Sequence, residues 1–173
     1  MSLLERFQKI KLFVFDVDGV LTDGSLYVFA DGEQVRKMNI KDGFALQLAI
    51  KKGYRVLVIS GAHSDGVARR LEKLGIADVF MKVEDKSELL ANYMSERNIV
   101  TEQVLYMGDD MPDYKVMKMV GLACAPADAM PEIQSIAHYI AIKNGGEGCV
   151  REVIEKVLKI NSHWETFTDV RSR

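Results

Sequence analysis

Short apolar runs of strand length alternate with longer stretches in which apolar residues recur at helical spacing. The predicted strands cover residues 11–15, 54–60, 79–83, 104–107 and 121–125, with a further short apolar run at 138–142. The predicted helices cover residues 43–52, 65–74, 86–97, 112–119, a stretch that starts near 131, and 149–160. Because strands joined by helices form right-handed crossovers, this alternation predicts an α/β fold: a doubly wound, mostly parallel, Rossmann-like sheet with helices on both faces.

One segment departs from the alternation just after the first strand. Residues 25–29 and 33–39 have strand character and flank the turn Ala30-Asp31-Gly32, which predicts a protruding β-hairpin at about 25–39. We find no internal repeat or interdomain linker, so the whole chain, 1–173, is expected to form one domain that ends in a polar tail at 161–173.

Composition excludes several classes of protein. Hydrophobic residues make up 48% and charged residues 28% of the 173 residues, which excludes intrinsic disorder. The net charge of −2 provides no basic excess for nucleic acid, and the apolar runs are too short to cross a membrane. Residues 1–6 lack the apolar core of a signal peptide, and Cys124 and Cys149 match no metal-binding spacing or disulfide framework. We therefore expect a cytoplasmic protein that binds neither nucleic acid nor membrane.

Polar side chains follow the predicted strands at their carboxyl ends, where open parallel sheets bind ligands. They are Asp16 and Asp18 after the first strand, Ser60 and Gly61 after the second, Lys86 after the third, and Asp109, Asp110 and Asp113 after the fourth. Crowded carboxylates repel one another unless a cation lies between them, and hard carboxylate oxygens together with phosphate suit Mg²⁺. The pattern predicts a magnesium-dependent site for a phosphorylated ligand.

The residue types suit phosphoryl transfer. Asp16 can attack phosphorus to form an aspartyl-phosphate, and Asp18 can protonate the departing alkoxide and later deprotonate the attacking water. Ser60 can donate a hydrogen bond to a phosphoryl oxygen, while Lys86 supplies compensating positive charge.

In chain order, these segments resemble the four motifs of the haloacid dehalogenase superfamily of phosphatases. The segments are Asp16-x-Asp18-Gly19-Val20-Leu21-Thr22, Ser60-Gly61, Lys86 and Gly108-Asp109-Asp110-x-x-Asp113. The resemblance implies that Asp16 is the nucleophile and Asp18 the general acid and base. It implies that Ser60, Gly61 and Lys86 contact the phosphate. It also implies that Mg²⁺ is held by the Asp16 carboxylate, the Asp18 backbone carbonyl and Asp109. For Asp110 and Asp113, support of the metal ligands is expected, and for Asp113 direct metal contact and a local capping or salt-bridge role are alternatives.

The chain has room for the hairpin but not for the inserted cap domain of many superfamily members. It is similar to the cap-less members that act on 3-deoxy-ulosonate phosphates, through the hairpin, the segment Met38-Asn39-Ile40-Lys41-Asp42-Gly43 and the glycine-rich run before Arg151. This resemblance implies hydrolysis of 3-deoxy-D-manno-octulosonate 8-phosphate in lipopolysaccharide precursor synthesis, by a homotetramer in which a neighbouring subunit covers each active site. It adds four substrate-binding candidates: Asn39, Asp42, Arg70 and Arg151.

Other functions remain open. Ala62 matches neither the arginine of many eight-carbon enzymes nor the glutamate of nine-carbon enzymes, whereas Arg70 with Lys73 matches the nine-carbon type. The alternative substrates are therefore a nine-carbon 3-deoxy-ulosonate 9-phosphate or a generic small phosphate. A phospho-receiver signalling module also combines aspartates, a hydroxyl and a lysine, but its phospho-acceptor follows the third strand, where this chain has Glu84-Asp85-Lys86. A catalytically silent oligomerisation module is disfavoured by the intact set of acids.

Overall fold

The computed structural model describes residues 1–164 of the protein. The strands are β1 (Leu12–Phe15), β2 (Tyr27–Val28), β3 (Gln34–Val35), β4 (Arg55–Ile59), β5 (Asp78–Phe80), β6 (Val104–Met107), β7 (Leu122–Ala125) and β8 (Tyr139–Ile140). The helices are α1 (Leu3–Gln8), α2 (Ile40–Lys51), α3 (Asp65–Lys73), α4 (Lys86–Glu96), α5 (Met111–Met117), α6 (Pro131–Ile136) and α7 (Cys149–Ile160).

Six strands form one sheet in the order β5-β4-β1-β6-β7-β8, and every pairing within it is parallel. The central strand β1 pairs with β4 on one side and β6 on the other, with Phe15 opposite Val58 and Met107. The direction of winding reverses at β1, and such a switch point leaves a crevice at the carboxyl ends of the strands. The predicted α/β class is confirmed, and the crevice lies where the polar residues cluster.

Alternate residues of the strands face two apolar layers. Phe13 and Phe15 of β1 pack into a core with α1, α2, α3 and α7, whereas Leu12 and Val14 pack into a second core with α4, α5 and α6. All four side chains are fully buried. Because both faces of the sheet are covered at its centre, β1, β6 and β7 are continuous apolar runs, and the sequence pattern located them to within one residue. The edge strand β5 is less buried and begins at Asp78, so the strand predicted at 79–83 starts one residue late and extends three residues too far.

The hairpin is present but its arms are shorter than predicted. Only Tyr27–Val28 and Gln34–Val35 form an antiparallel ladder, closed by a turn in which Gly32 has φ +87°. The second arm ends at Val35, and Asn39, the last residue predicted for it, instead caps α2: its Oδ1 accepts a hydrogen bond from the Lys41 backbone N–H at 2.8 Å. Helix α2 therefore begins at Ile40, three residues before the predicted start.

Helix α1 was not predicted, although the sequence carries its signal. Ser2 and Glu5 form a reciprocal capping box, in which the Ser2 N–H donates to Glu5 Oε2 at 2.7 Å and the Glu5 N–H donates to Ser2 Oγ at 3.3 Å. At the other end of the chain, Trp164 packs edge-on against Phe44 with ring centroids 6.3 Å apart. The rest of the predicted tail, residues 165–173, lies outside the described residues.

None of the helices within residues 1–164 combines the length and the hydropathy that a bilayer crossing requires.

Candidate active site

Asp16 extends β1 by one residue into the crevice. Its backbone N–H donates to the Met107 carbonyl at 3.1 Å, so the residue keeps the sheet register and its carboxylate lies beside the end of β6. The chain then forms a wide turn at Val17–Leu21, in which Asp18 is extended and Gly19 has φ +85°. A side chain at Gly19 would overlap the Asp109 carboxylate, so glycine is required both for the backbone angle and for the approach of the two strand ends.

Lys86 is the cation at the centre of the site. Its Nζ lies 2.9 Å from Asp16 Oδ1 and 2.7 Å from Asp113 Oδ1, and its side chain is only 5% exposed. It opens α4, where the helix dipole disfavours a positive charge. Burial alone would lower the pKa of Lys86, but the carboxylates of Asp113 and Asp16 outweigh it and hold that pKa above its usual value. Lys86 is therefore a fixed positive charge in contact with Asp16.

Asp113 accepts three hydrogen bonds that connect Lys86, Tyr106 and the backbone of Asp109. Its Oδ1 accepts hydrogen bonds from Lys86 Nζ and, at 2.7 Å, from the Tyr106 hydroxyl, while its Oδ2 accepts the Asp109 backbone N–H at 3.1 Å. Gly108 makes this possible, because a Cβ there would lie 2.4 Å from the Asp113 Cβ. With both oxygens engaged and 1% exposure, Asp113 joins the lysine to the Asp109 backbone.

Tyr106 is a contributor that the sequence analysis did not identify. Burial together with the neighbouring Asp113 carboxylate raises the pKa of Tyr106 well above its ordinary value, so the hydroxyl stays a hydrogen-bond donor. A tyrosine in a strand buried on both faces needs a polar partner, and this was the available signal.

Three carboxylates are placed to share a cation. One oxygen each from Asp16, Asp109 and Asp113 lie within 4.8 Å of one another. Burial, with the Asp113 carboxylate as the next cause, raises the pKa of Asp16 to about 7. Burial and then the Asp16 carboxylate raise the pKa of Asp109 to about 7 as well. Without a bound cation these groups resist ionisation together, and a divalent ion coordinated by their oxygens would restore the charged forms.

Most of the predicted site residues line one cavity of about 380 Å³. Those that do are Asp16, Asp18, Ser60, Gly61, Lys86, Asp109, Asp110 and Asp113. Ser60 follows β4, and its Oγ accepts the Ala62 backbone N–H at 3.2 Å, which leaves its hydroxyl proton for a ligand. Asp110 caps α5 through the Met111 N–H at 2.7 Å. Residues that follow different strands in the sequence thus lie next to one another around this cavity.

The remaining candidates lie elsewhere. Arg70 lines a separate cavity of about 650 Å³ between the hairpin and α3. The Arg151 guanidinium lies over the rings of Phe44 and Trp164, at 5.3 and 5.5 Å from their centroids. Within one chain, neither arginine lines the cavity that holds Asp16.

Asn39 contacts the glycine-rich loop before α7, and Asp42 contacts the first turn of α7 itself. Asn39 Nδ2 donates to the Gly146 carbonyl at 3.2 Å, and Asp42 Oδ1 accepts the Arg151 backbone N–H at 2.8 Å. Asp42 is 2% exposed, its Oδ2 has no hydrogen-bond partner, and burial raises its pKa to about 6. Both side chains face protein here, so any contact with substrate stays a prediction.

The glycine-rich loop in turn supports the wide turn at Val17–Leu21, which carries the proposed catalytic residue Asp18 and is called the catalytic turn below. The Gly146 N–H donates to the Val20 carbonyl at 2.9 Å, and a side chain at Gly145 would overlap the Gly19 carbonyl. The Gly145 N–H is held by Asp128 Oδ1 at 2.8 Å. Glycine is needed in this loop because two backbones meet there.

Arg36, from the hairpin, also contacts the site and was not identified from the sequence. Its Nε lies 2.6 Å from Asp18 Oδ1 and its Nη2 lies 3.3 Å from Asp18 Oδ2. The two residues are 18 positions apart, and no periodicity links them.

Comparison with known proteins places this geometry in context. Residues 72–154 match the haloacid dehalogenase-like hydrolase family. The curated 3-deoxy-D-manno-octulosonate 8-phosphate phosphatase KdsC of Yersinia pestis is 35% identical over 167 residues, which are 96% of this chain and 89% of that protein.

Solved structures show the same fold. A protein described as a probable YrbI-family phosphatase, from Pseudomonas syringae, is 42% identical with a TM-score of 0.90, over 93% of this chain and 92% of that one. The 3-deoxy-D-manno-octulosonate 8-phosphate phosphatase of Moraxella catarrhalis, in complex with magnesium ion, phosphate ion and a KDO molecule, is 32% identical with a TM-score of 0.89, over 92% and 91% of the two chains. The similarity therefore extends along nearly the whole chain.

Proposed function

Because the chain belongs to the 3-deoxy-D-manno-octulosonate 8-phosphate phosphatase family of haloacid dehalogenase-like hydrolases, we propose that it hydrolyses 3-deoxy-D-manno-octulosonate 8-phosphate to the free sugar acid and phosphate. The broader activity, that of a phosphoric monoester hydrolase, follows from the family. The observation that carries the proposal is the cluster of Asp16, Asp109 and Asp113 around one point, with Lys86 Nζ 2.9 Å from Asp16.

Asp16 is the nucleophile of the proposed reaction. One of its carboxylate oxygens forms a bond to phosphorus while the bond from phosphorus to the sugar oxygen breaks, which yields an aspartyl-phosphate. Lys86 orients the Asp16 carboxylate through the 2.9 Å contact and offsets negative charge as the phosphoryl group approaches. Ser60, at the end of β4, donates its hydroxyl proton to a phosphoryl oxygen.

Asp18 moves the proton in both halves of the reaction. It gives its proton to the departing sugar oxygen, and then takes one from the water that attacks phosphorus. The second step breaks the bond between phosphorus and the Asp16 oxygen, releases phosphate and returns both aspartates to their starting states. Placing Asp18 two residues after the nucleophile, in the extended part of the turn, brings both carboxylates to the same cavity.

The donor set fits Mg²⁺. Hard carboxylate oxygens are the ligands this ion prefers, and three clustered carboxylates face a single contacting lysine, which offsets only part of their charge. Asp16, Asp109 and the backbone carbonyl of Asp18 would hold it, with Asp113 supporting Asp109 through the 3.1 Å hydrogen bond. When bound, the ion neutralises phosphate charge and aligns the phosphoryl group.

The proposed assembly is a homotetramer in which a neighbouring subunit covers each active site. It is supported by the hairpin, where Tyr27, Val28 and Phe29 are 65%, 67% and 54% exposed, an unusual concentration of apolar surface on a strand edge. Arg70, on the cavity between the hairpin and α3, would then face substrate across the subunit interface.

The unpaired, buried thiols of Cys124 and Cys149 support a reducing, cytoplasmic location.

A substrate panel tests the proposal. We expect phosphate release from 3-deoxy-D-manno-octulosonate 8-phosphate with kcat/KM at least about tenfold above that for simple hexose phosphates, and loss of activity in EDTA that Mg²⁺ restores. A nine-carbon 3-deoxy-ulosonate 9-phosphate belongs in the same panel, because Ala62 fits neither subtype. A preference below tenfold for every ulosonate phosphate would contradict the substrate assignment, and a single turnover per site would instead indicate a phospho-receiver module.

A further inference from the structure

Arg36 and Asp18 form a two-point ion pair between the hairpin and the catalytic turn. The Nε–Oδ1 and Nη2–Oδ2 distances are 2.6 and 3.3 Å, so the planar guanidinium matches both carboxylate oxygens. The Arg36 side chain is 4% exposed and that of Asp18 is 36% exposed. An arginine this buried is unlike the mobile surface pairs that contribute little, because removing it leaves its partner unpaired.

The backbone around Arg36 is fixed by its own contacts. Thr22 and Met38 form an isolated antiparallel bridge, which ties the return of the hairpin to the end of the catalytic turn. Thr22 Oγ1 accepts the backbone N–H groups of Gly19 and Gly24, each at 3.2 Å. The position of the guanidinium is therefore set by the same segment that shapes the turn.

The adjacent side chains of Arg36 and Lys37 lie on opposite sides of this segment. Arg36 reaches Asp18 in the cavity, whereas Lys37 points the other way and pairs with Asp23, with Nζ 3.0 Å from Oδ2. Lys37 is 62% exposed. The chain thus offers two adjacent cations, one buried against the site and one on the surface.

Each of the two reacting aspartates has its own cation. Lys86 contacts Asp16, the nucleophile, from α4, and Arg36 contacts Asp18, the acid/base, from the hairpin. A lysine is a point charge, but an arginine bound through Nε and Nη2 also fixes the plane of its carboxylate. Proton transfer to the leaving oxygen depends on that orientation, since the donor must lie within hydrogen-bond reach.

We propose that Arg36 is a positioning residue that fixes the orientation of the Asp18 carboxyl group, so that its protonated form donates to the leaving alcohol and its ionised form, the one paired with Arg36 here, then accepts a proton from the attacking water. The inference rests on the proposed function, in which Asp18 is the acid/base. If Arg36 has this role, its importance depends on whether the leaving group needs a proton. An alkoxide leaving group needs a proton as its bond to phosphorus breaks, whereas p-nitrophenolate leaves readily without one. Loss of Arg36 therefore matters for alkyl phosphates and little for p-nitrophenyl phosphate.

The test compares kcat/KM for two esters, because this ratio reports formation of the aspartyl-phosphate and departure of the alcohol. For Arg36→Ala we expect kcat/KM to fall roughly 10- to 100-fold with 3-deoxy-D-manno-octulosonate 8-phosphate and less than about threefold with p-nitrophenyl phosphate. The value of kcat can fall with both esters, since hydrolysis of the common intermediate follows. Arg36→Lys should restore part of the loss, and Lys37→Ala is the matched control with no selective effect.

A double-mutant cycle separates positioning from a structural role. In an Asp18→Asn background, Arg36→Ala should cause no further loss of kcat/KM with the alkyl ester, because its effect acts through Asp18. Thermal unfolding and molar mass in solution show whether each variant keeps its fold and assembly. If Arg36→Ala fails to fold, Arg36→Lys and Arg36→Gln carry the same comparison.

The outcomes are distinguishable. An equal loss with both esters, or no loss with either, would overturn the positioning role while leaving the phosphatase assignment intact. A rise in kcat/KM with the alkyl ester would also overturn it, because the contact would then hinder Asp18. A wild-type protein that hydrolyses neither ester would overturn the proposed function itself.

Discussion

The carboxyl-end crevice and the β2–β3 hairpin are built in contrasting ways, although the hairpin lies in the chain between two crevice residues, Asp18 and Ser60. In the crevice, Lys86 and Asp113 are 6% and 1% exposed and their polar atoms are bonded within the same chain. In the hairpin, the ladder is two residues long on each strand and Tyr27 and Val28 are about two-thirds exposed, at 65% and 67%. The polar atoms of Lys86 and Asp113 find their partners within one chain, whereas the hairpin exposes apolar surface, which supports the proposed contact with a neighbouring subunit. Arg36 joins the two regions, since a hairpin residue contacts a crevice carboxylate.

The largest expected effect comes from the crevice. Asp16→Asn removes the nucleophile, so we expect turnover to fall by roughly 10⁴-fold or more in a steady-state phosphate-release assay. The fold should persist, because a buried carboxylate crowded by Asp113 is replaced by a neutral group of similar shape. Asp23→Asn, outside the cavity, is the matched control. Near-normal turnover in Asp16→Asn would exclude the covalent mechanism.

The hairpin should give an intermediate effect of a different kind. Val28→Lys places charge on an exposed apolar edge, so we expect the assembly to dissociate and kcat/KM to fall about tenfold, while monomer stability changes by less than about 0.5 kcal/mol. Light scattering on a sizing column measures the molar mass of the assembly, steady-state kinetics measure kcat/KM, and thermal unfolding measures the stability. Ile142→Lys, at a position 80% exposed elsewhere, is the control. A stable monomer with full activity would refute the proposed covering of the site by a neighbour.

The smallest effect expected is on stability and its dependence on pH. Asp16 and Asp109 have a folded pKa of about 7 against an ordinary value of 3.8, so the metal-free folded state binds more protons than the unfolded state between these values. Their contribution is therefore full below about pH 4 and is lost as the pH rises through about 7. Mg²⁺ competes with those protons, so the rise in Tm on adding Mg²⁺ should be small at pH 5 and grow to several degrees at pH 8.

Calorimetry with and without Mg²⁺ checks this prediction. In Asp109→Asn the rise should shrink at pH 8, and the metal-free variant should be more stable than the metal-free wild type by roughly 1–3 kcal/mol. A Mg²⁺-dependent rise that is the same at pH 5 and pH 8 would contradict the crowding of these carboxylates around one ion.

Sequence reasoning succeeded where burial and order along the chain decide the outcome. The run that became β6 was predicted at its observed bounds, and Asp16 and Asp109 were brought together from strand order alone. It failed where contacts between side chains that are distant in the sequence determine the structure of the site. The pairing of Arg36 with Asp18 depends on how the hairpin folds back, and no local pattern contains that information. The second arm was also predicted too long: it stops at Val35, and Asn39 serves as the cap of α2.

The contact between Gly146 and Val20 has a consequence for how the protein is made. The Gly146 N–H donates to the Val20 carbonyl at 2.9 Å, and α7 follows immediately after this loop. Asp16, the proposed nucleophile, is therefore translated well before Gly146, whose backbone supports the turn that follows Asp16. Since a ribosome adds about 5–20 residues per second, the stretch between Asp16 and Gly146 takes many seconds to make, and the pocket stays unfinished during that time.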